Sequence, residues 1–286
     1  MEIIGIPMKR KQTRTLFALC LLVICCIGLA HAAPTSEVTI YSIGEDQETI
    51  LNQTTVDYTW MEENLPVQGD GTTHYYHQGP VFNDNKTAQW DASETTNFKD
   101  HGAVKGTSIR DLCEIIGGME PEDDVMIRAA DGYNTVFGYE NIYNPPSRQG
   151  PAVLCWYNGE DAEIGEKQGV GYPPDFYAGM RIVFFADNGT NSDGKHVFGN
   201  WDMHESFPAE KIYLFDNLYP STNGYTVKWV DDIRIYRSGY TSTDLAPVKS
   251  LRTETPQPTK SPLSPALPVL GAILGIGCII LRRQHQ

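Results

Sequence analysis

Two short stretches hold the side chains best suited to chemistry. Residues 74–82, "HYYHQGPVF", set His74 and His77 three apart among aromatics, and residues 198–208, "FGNWDMHESFP", set Asp202, His204 and Glu205 beside Trp201. A metal site needs ligands that converge on one point. Residues three apart in an extended segment point to opposite faces, and the threonines and tyrosines around "HYYH" disfavour a helix. His74 and His77 are therefore no chelate by spacing alone. Asp202 and His204 share one face if their segment is extended, with Trp201 and Met203 on the other. His77, Asp202 and His204, with Glu205 adjacent, then form a candidate centre for zinc, manganese or iron. The competing expectation is that the His and Trp side chains satisfy buried hydrogen bonds or line a polar, aromatic pocket in which Tyr75, His77, Trp201 and His204 hold a ligand, because amphipathic rings combine large contact area with a polar tip. A third option is the oxygen-rich loop "DNGTNSDG" over 187–194, which suits calcium in composition but not in spacing.

Other chemistries lack a pattern. The chain has no Gly-x-Ser-x-Gly elbow, no Cys-x-x-Cys and no phosphate-binding glycine loop followed by Lys and Ser or Thr. Acidic pairs are plentiful, but 36 Asp and Glu against 22 Lys and Arg give a net charge of −14, so no one pair stands out as a glycosidase would require. That surplus also argues against nucleic acid and anionic surfaces as partners.

The elements that must position these residues are short. Strands are expected over 38–41, 49–51 and 55–60. A helix is predicted from a Ser108 cap, with Ile109, Leu112, Cys113 and Ile116 on one apolar face and Gly117-Gly118 closing it. Strands over 125–130 and 134–139 should form a hairpin about Asp131-Gly132. Further strands are expected over 153–157, 180–186 and 226–236, the last half-buried with its polar parity outward. The class is β-rich α+β with few short helices.

The ends read as processing and anchoring signals. Lys9, Arg10, Lys11 and Arg14 precede an apolar run that closes on Ala30-His31-Ala32, which predicts a signal peptide over 1–32, with an uncleaved signal anchor as the alternative. An uncharged apolar run followed by Arg282 and Arg283 predicts a C-terminal transmembrane helix over 266–283, basic residues inward. A Pro/Thr/Ser stalk over 246–265 precedes it. The expected location is the cell membrane, single-pass, with the folded domain extracellular. Cys20, Cys25, Cys26 and Cys278 fall in the two end segments, leaving Cys113 and Cys155 either as a disulfide or as core thiols. Asn52, Asn85 and Asn188 begin N-glycosylation sequons.

From Gly102 onward, "VKGTSIRDLCEIIGG", "VMIRAADGYNTVFGYENI", "GPAVLCWYNGE", "GMRIVFFAD" and "NGYTVKWVDDIRIY" occur in an order that resembles the oxidoreductase molybdopterin-binding domain of the sulfite oxidase family. The chain also looks like cell-surface proteins of methanogenic archaea that carry this domain between a signal peptide and a stalked anchor, with segments like "GDGTTHYYHQGPVF", "NPPSRQGP" and "FGNWDMHE". The resemblance implies mixed sheets, a domain-like region over 102–245 after an N-terminal β-rich part over 33–101, and molybdopterin as the associated cofactor. Redox members of the family hold molybdenum through a cysteine ahead of the helix. Here no cysteine lies between residue 33 and Cys113, and Arg110 and Arg128 are the only arginines over 33–147. The resemblance therefore implies a scaffold more than an activity. The expected function is that of a membrane-anchored extracellular ligand- or metal-binding protein. An extracellular metal- or molybdopterin-dependent oxidoreductase and a structural envelope or adhesion protein are the alternatives.

Overall fold

The computed structural model describes residues 34–93, 95–189 and 191–241; the predicted signal peptide, stalk and anchor lie outside them. The described chain is β-rich with few short helices, an α+β arrangement. Its largest sheet has the order β2-β1-β14-β7-β8, built from β1 (Glu37–Ile43), β2 (Ile50–Asp57), β7 (Asp124–Ala129), β8 (Asn134–Gly138) and β14 (Val230–Tyr236). β1 runs parallel to β14, with Thr39 opposite Asp232, and all other pairings in the sheet are antiparallel. The first strand is thus held by the last. A second, antiparallel sheet has the order β10-β9-β6-β3, from β3 (Val67–Gln68), β6 (Val104–Ser108), β9 (Ala152–Asn158) and β10 (Arg181–Phe184). β4 (Tyr75–Gln78) is central in a third, between β11 (His196–Phe198) and β5 (Phe98–Asp100), and β12 (Leu214–Phe215) pairs with β13 (Tyr219–Pro220). Strands from before and after residue 101 pair with one another in three of these sheets, β1 with β14, β3 with β6 and β4 with β11.

The main core fills the space between sheets with interlocking rings. Phe137, Phe184, Phe198, Phe207 and Tyr225 contact one another at centroid distances such as 4.9 Å for Phe184–Phe198 and 5.5 Å for Phe137–Phe184. Burying each such phenyl ring stabilises the fold by about 2 kcal/mol. Trp156 is also fully buried, and its indole N–H donates to Thr107 Oγ1 at 3.1 Å, so its one polar group is satisfied.

Local chemistry decides where strands give way to helices. Ser108 caps α2 (Ile109–Glu114) as its sequence predicts, accepting from the Asp111 N–H at 3.0 Å. The expected strand over 55–60 is instead cut short, because the Asp57 carboxylate accepts from the Trp60 N–H at 2.8 Å and starts α1 (Tyr58–Asn64). The same device overturns the extended reading of 198–208: Asp202 reaches back to the Gly199 N–H at 2.9 Å and initiates α4 (Asn200–Ser206). A further short helix, α3 (Tyr139–Tyr143), follows β8. Among the described residues no helix is long and apolar enough to cross a membrane.

The 226–236 segment departs from expectation in two ways. Pairing begins only at Val230, since Trp229 adopts φ +53°, a left-handed conformation costly for a large side chain, and its indole N–H donates to Tyr177 O at 2.9 Å. Nor does the polar parity face water. On β14, the middle strand of its sheet, Asp232 and Arg234 are buried, and Asp232 accepts from Arg234 Nε at 2.8 Å, Arg234 Nη2 at 2.9 Å and Arg128 Nη1 at 3.0 Å.

Candidate functional site

The structure does not assemble the residues singled out by sequence. His77 is fully buried in β4, where its Nδ1–H donates to Thr222 O at 3.1 Å and its Nε2 accepts from the Phe184 N–H at 3.1 Å. Burial pushes its pKa down to about 3, so the ring is neutral and both nitrogens are committed to the backbone. Asp202 is equally occupied, by the Gly199 N–H and by Arg148 Nη2 at 3.0 Å. His204 stands on the exposed side of α4 with Glu205 Oε1 at 2.9 Å, stacked on Trp201 at 5.0 Å and edge-on to Trp90 at 4.8 Å. The proposed metal set of His77, Asp202 and His204 fails because each member already has its partners, and among the described residues no three His, Cys, Asp or Glu side chains form a metal-holding group. The ligand set fails as well: Tyr75 stacks on Phe185 at 3.9 Å, away from the Trp201–His204 pair on α4. Replacing His204 with Ala is expected to change stability by less than about 1 kcal/mol, as for most exposed positions. A denaturant titration that shows a loss of several kcal/mol would give His204 a structural role that its contacts do not explain.

The cysteines and loops are likewise accounted for. Cys113 and Cys155 are free, buried in two different core clusters, and burial pushes both thiols well above the ordinary range; they are not a disulfide. In the 187–194 loop, Asp187 accepts from Arg148 Nη1 at 2.9 Å and from the Gly189 N–H at 2.9 Å, while Asn191 Oδ1 accepts from the Asp193 and Lys195 N–H groups. Its oxygens order the loop. Asn52, Asn85 and Asn188 are all solvent-exposed, as sequon acceptors must be.

A cavity of about 580 Å³ lies elsewhere, within the range that suits a small organic ligand. Its inner wall is polar and buried: His101 and Arg181 are each only 2 % exposed, and Gln168, Ser221 and Thr226 are buried beside them. Its mouth is apolar, formed by Tyr133, Ile164, Phe215 and Trp229. Several segments distant in sequence supply this lining. The left-handed Trp229 turns the chain out of the sheet so that Lys228 and Trp229 both line the cavity. Tyr133, just after Gly132 at φ +93° in the β7–β8 turn, is pinned by its hydroxyl donating to Gly224 O at 2.6 Å. Arg181 opens β10, directly after the segment that also binds Val230 through Met180 O.

The inner wall carries unmet donors. Arg181 Nη1 donates to Gln168 Oε1 at 2.6 Å and Nη2 to Thr226 O at 3.5 Å, both neutral acceptors, while Nε has no partner. Burial pushes the guanidinium down to about 10, so it keeps its charge at neutral pH; Glu166, on the same lining, attracts it without pairing with it, its carboxylate being bound to Lys228. Both ring nitrogens of His101 also lack a partner, and burial together with the nearby Arg181 holds this imidazole well below its usual range. Lys99 and Lys228 line the same cavity, the latter paired with Glu166. Asp100, Asp131 and Glu166 line the cavity too, so Arg181 is the one buried cation of this lining and not part of a positive cluster, and buried polar groups without partners cost about 1–3 kcal/mol each. No family model matches this chain, and no curated protein does either.

Sequence reasoning missed Arg181 and His101. A lone Arg in "GMRIVFF" and a lone His in "KDHGAV" carry no motif. The one available signal was an arginine opening a run of apolar strand residues, since arginine is rarely buried without a reason.

Proposed function

We propose that the chain is a cell-surface ligand-binding protein whose folded part lies outside the membrane, and that its cavity binds a small organic anion. The scaffold reading rests on the motif order shared with the molybdopterin-binding domain. The ligand reading rests on one observation, a buried arginine with no carboxylate partner on the wall of a cavity of ligand size. An anion bearing two or three oxygens is drawn to the Arg181 guanidinium on the inner wall, and an apolar body lies against Trp229, Tyr133 and Phe215 at the mouth.

Molybdenum chemistry is a poor match to these residues. The two cysteines of the described chain sit in the core and do not line the cavity, so no thiolate is supplied for the metal. The buried guanidinium of Arg181 supports binding without requiring a reaction.

Benzenesulfonate, an aromatic ring on a permanent anion, is the test ligand. Calorimetry on the full chain is expected to show saturable binding of benzenesulfonate, weaker binding of sulfate, and none of the similarly sized cation trimethylphenylammonium. Equal affinity for anion and cation, or no binding of either anion, removes this reading and leaves a structural role as the better account.

A further inference from the structure

We propose that anion binding in this cavity is coupled to uptake of one proton by His101, so that the site fills more readily as the surroundings become acidic. This rests on the anion-binding reading and concerns the counting of donors. A neutral imidazole has one N–H and one lone pair, whereas an ionised sulfonate or sulfate offers acceptors only. Beside such a ligand the lone-pair nitrogen of His101 faces no donor. The imidazolium has two donors, and both ring nitrogens, like Arg181 Nε, are buried without a partner in side chains that line the cavity. The same proton adds the attraction of a second buried positive charge.

The surroundings of His101 set the direction of the coupling. Burial first, and then the charges of Arg181 on β10, Lys228 ahead of β14 and Lys99 on β5, disfavour a further positive charge in the cavity; His77 on β4, edge-on to His101, is neutral and does not offset them. The carboxylates nearby do not offset them: Asp100 accepts from the Gly102 N–H at 2.8 Å and the Glu163 N–H at 2.7 Å and lies 3.0 Å from His74 Nδ1, and Glu166 is paired with Lys228. Asp131 lies at the outer, exposed lining. Without ligand the ring is therefore neutral, and an anion reverses the balance by cancelling the charge of Arg181. Protons bound in the complex exceed those bound in the free protein, so affinity falls as pH rises through the value His101 acquires in the complex.

The test is calorimetry of benzenesulfonate binding to the full chain between pH 5 and pH 8, in pairs of buffers with different ionisation enthalpies. This probe stays fully ionised throughout, so any proton taken up belongs to the protein. Expected are uptake approaching about one proton per ligand at the acid end and an affinity at least about tenfold higher at pH 5 than at pH 8. His101→Gln should bind with little pH dependence and no uptake. Should that variant fold poorly, the imidazole carbon and nitrogen shifts of the unmodified chain, followed by NMR as ligand is added, report the same protonation directly. Binding with no proton uptake, or uptake that persists in His101→Gln, overturns this inference alone. Absence of binding at every pH overturns both it and the anion-binding reading.

Discussion

The Arg181→Gln chain is expected to fold as well as or better than the unmodified chain while losing anion binding by about 100-fold or more, the scale on which deleting one partner of a buried charge pair acts. The two halves of this result have one cause. Burial lowers the folded pKa of Arg181 to about 10, so the unfolded chain holds the proton more tightly. Folding at neutral pH then carries a penalty of about 3 kcal/mol, which fades only as pH climbs above that folded value. Bonds to Gln168 and Thr226 return part of it, at about 1 kcal/mol each. Glutamine removes the charge and keeps a donor, so a net gain of about 1 kcal/mol follows. Urea unfolding and benzenesulfonate calorimetry on the same preparation read both quantities. A variant that is strongly destabilised yet binds the anion unchanged would show that Arg181 serves the fold and not the cavity.

The second large effect concerns a buried charge that does have partners. Asp232→Ala leaves the guanidinium groups of Arg234 and Arg128 without the carboxylate that joins them in the middle of the largest sheet. Breaking a buried pair from one side costs about 3–5 kcal/mol, because the surviving charge stays desolvated. Asp231, 3.8 Å from Arg128, supplies only a distant substitute. The urea midpoint should drop accordingly, and adding Arg234→Met to Asp232→Ala should restore a large part of the loss. A loss below about 1 kcal/mol in the single variant would mean that water reaches these arginines and the network is not a buried one.

Comparing Arg181 with Asp232 shows which features the sequence made legible. The β-rich class, the Ser108-capped helix and the hairpin about Asp131-Gly132 follow from local patterns, and each is present. Where prediction failed, a residue acted on its neighbours in ways that periodicity does not encode. Asp57 and Asp202 each turned an extended segment into a helix by accepting a backbone N–H. The alternation expected for 226–236 is broken by the left-handed Trp229 and the register shift between Val230 and Asp232, and Asp232 and Arg234 are buried where exposure was expected. The site was harder still. His77 and Asp202 had the side-chain types of ligands, yet His77 is bound to the backbone and Asp202 to the backbone and Arg148, whereas His101 and Arg181, isolated in sequence, meet only where several distant segments pack around one cavity.

The parallel pairing of β1 with β14 also determines how the domain bears tension. In a parallel pair the chain enters one strand and leaves the other at opposite ends of the ladder. Residue 35 is held near the start of β14 by Gly179 and Met180, and residue 241 lies at its far end, beside Gln47. Pulling outward on the two ends drives β1 and β14 past each other in shear. The rungs from Thr39–Asp232 to Ile43–Tyr236 then share the load together, whereas strands peeled from one end would break theirs one at a time. Force transmitted between the ends would meet this clamp first, at the centre of the sheet.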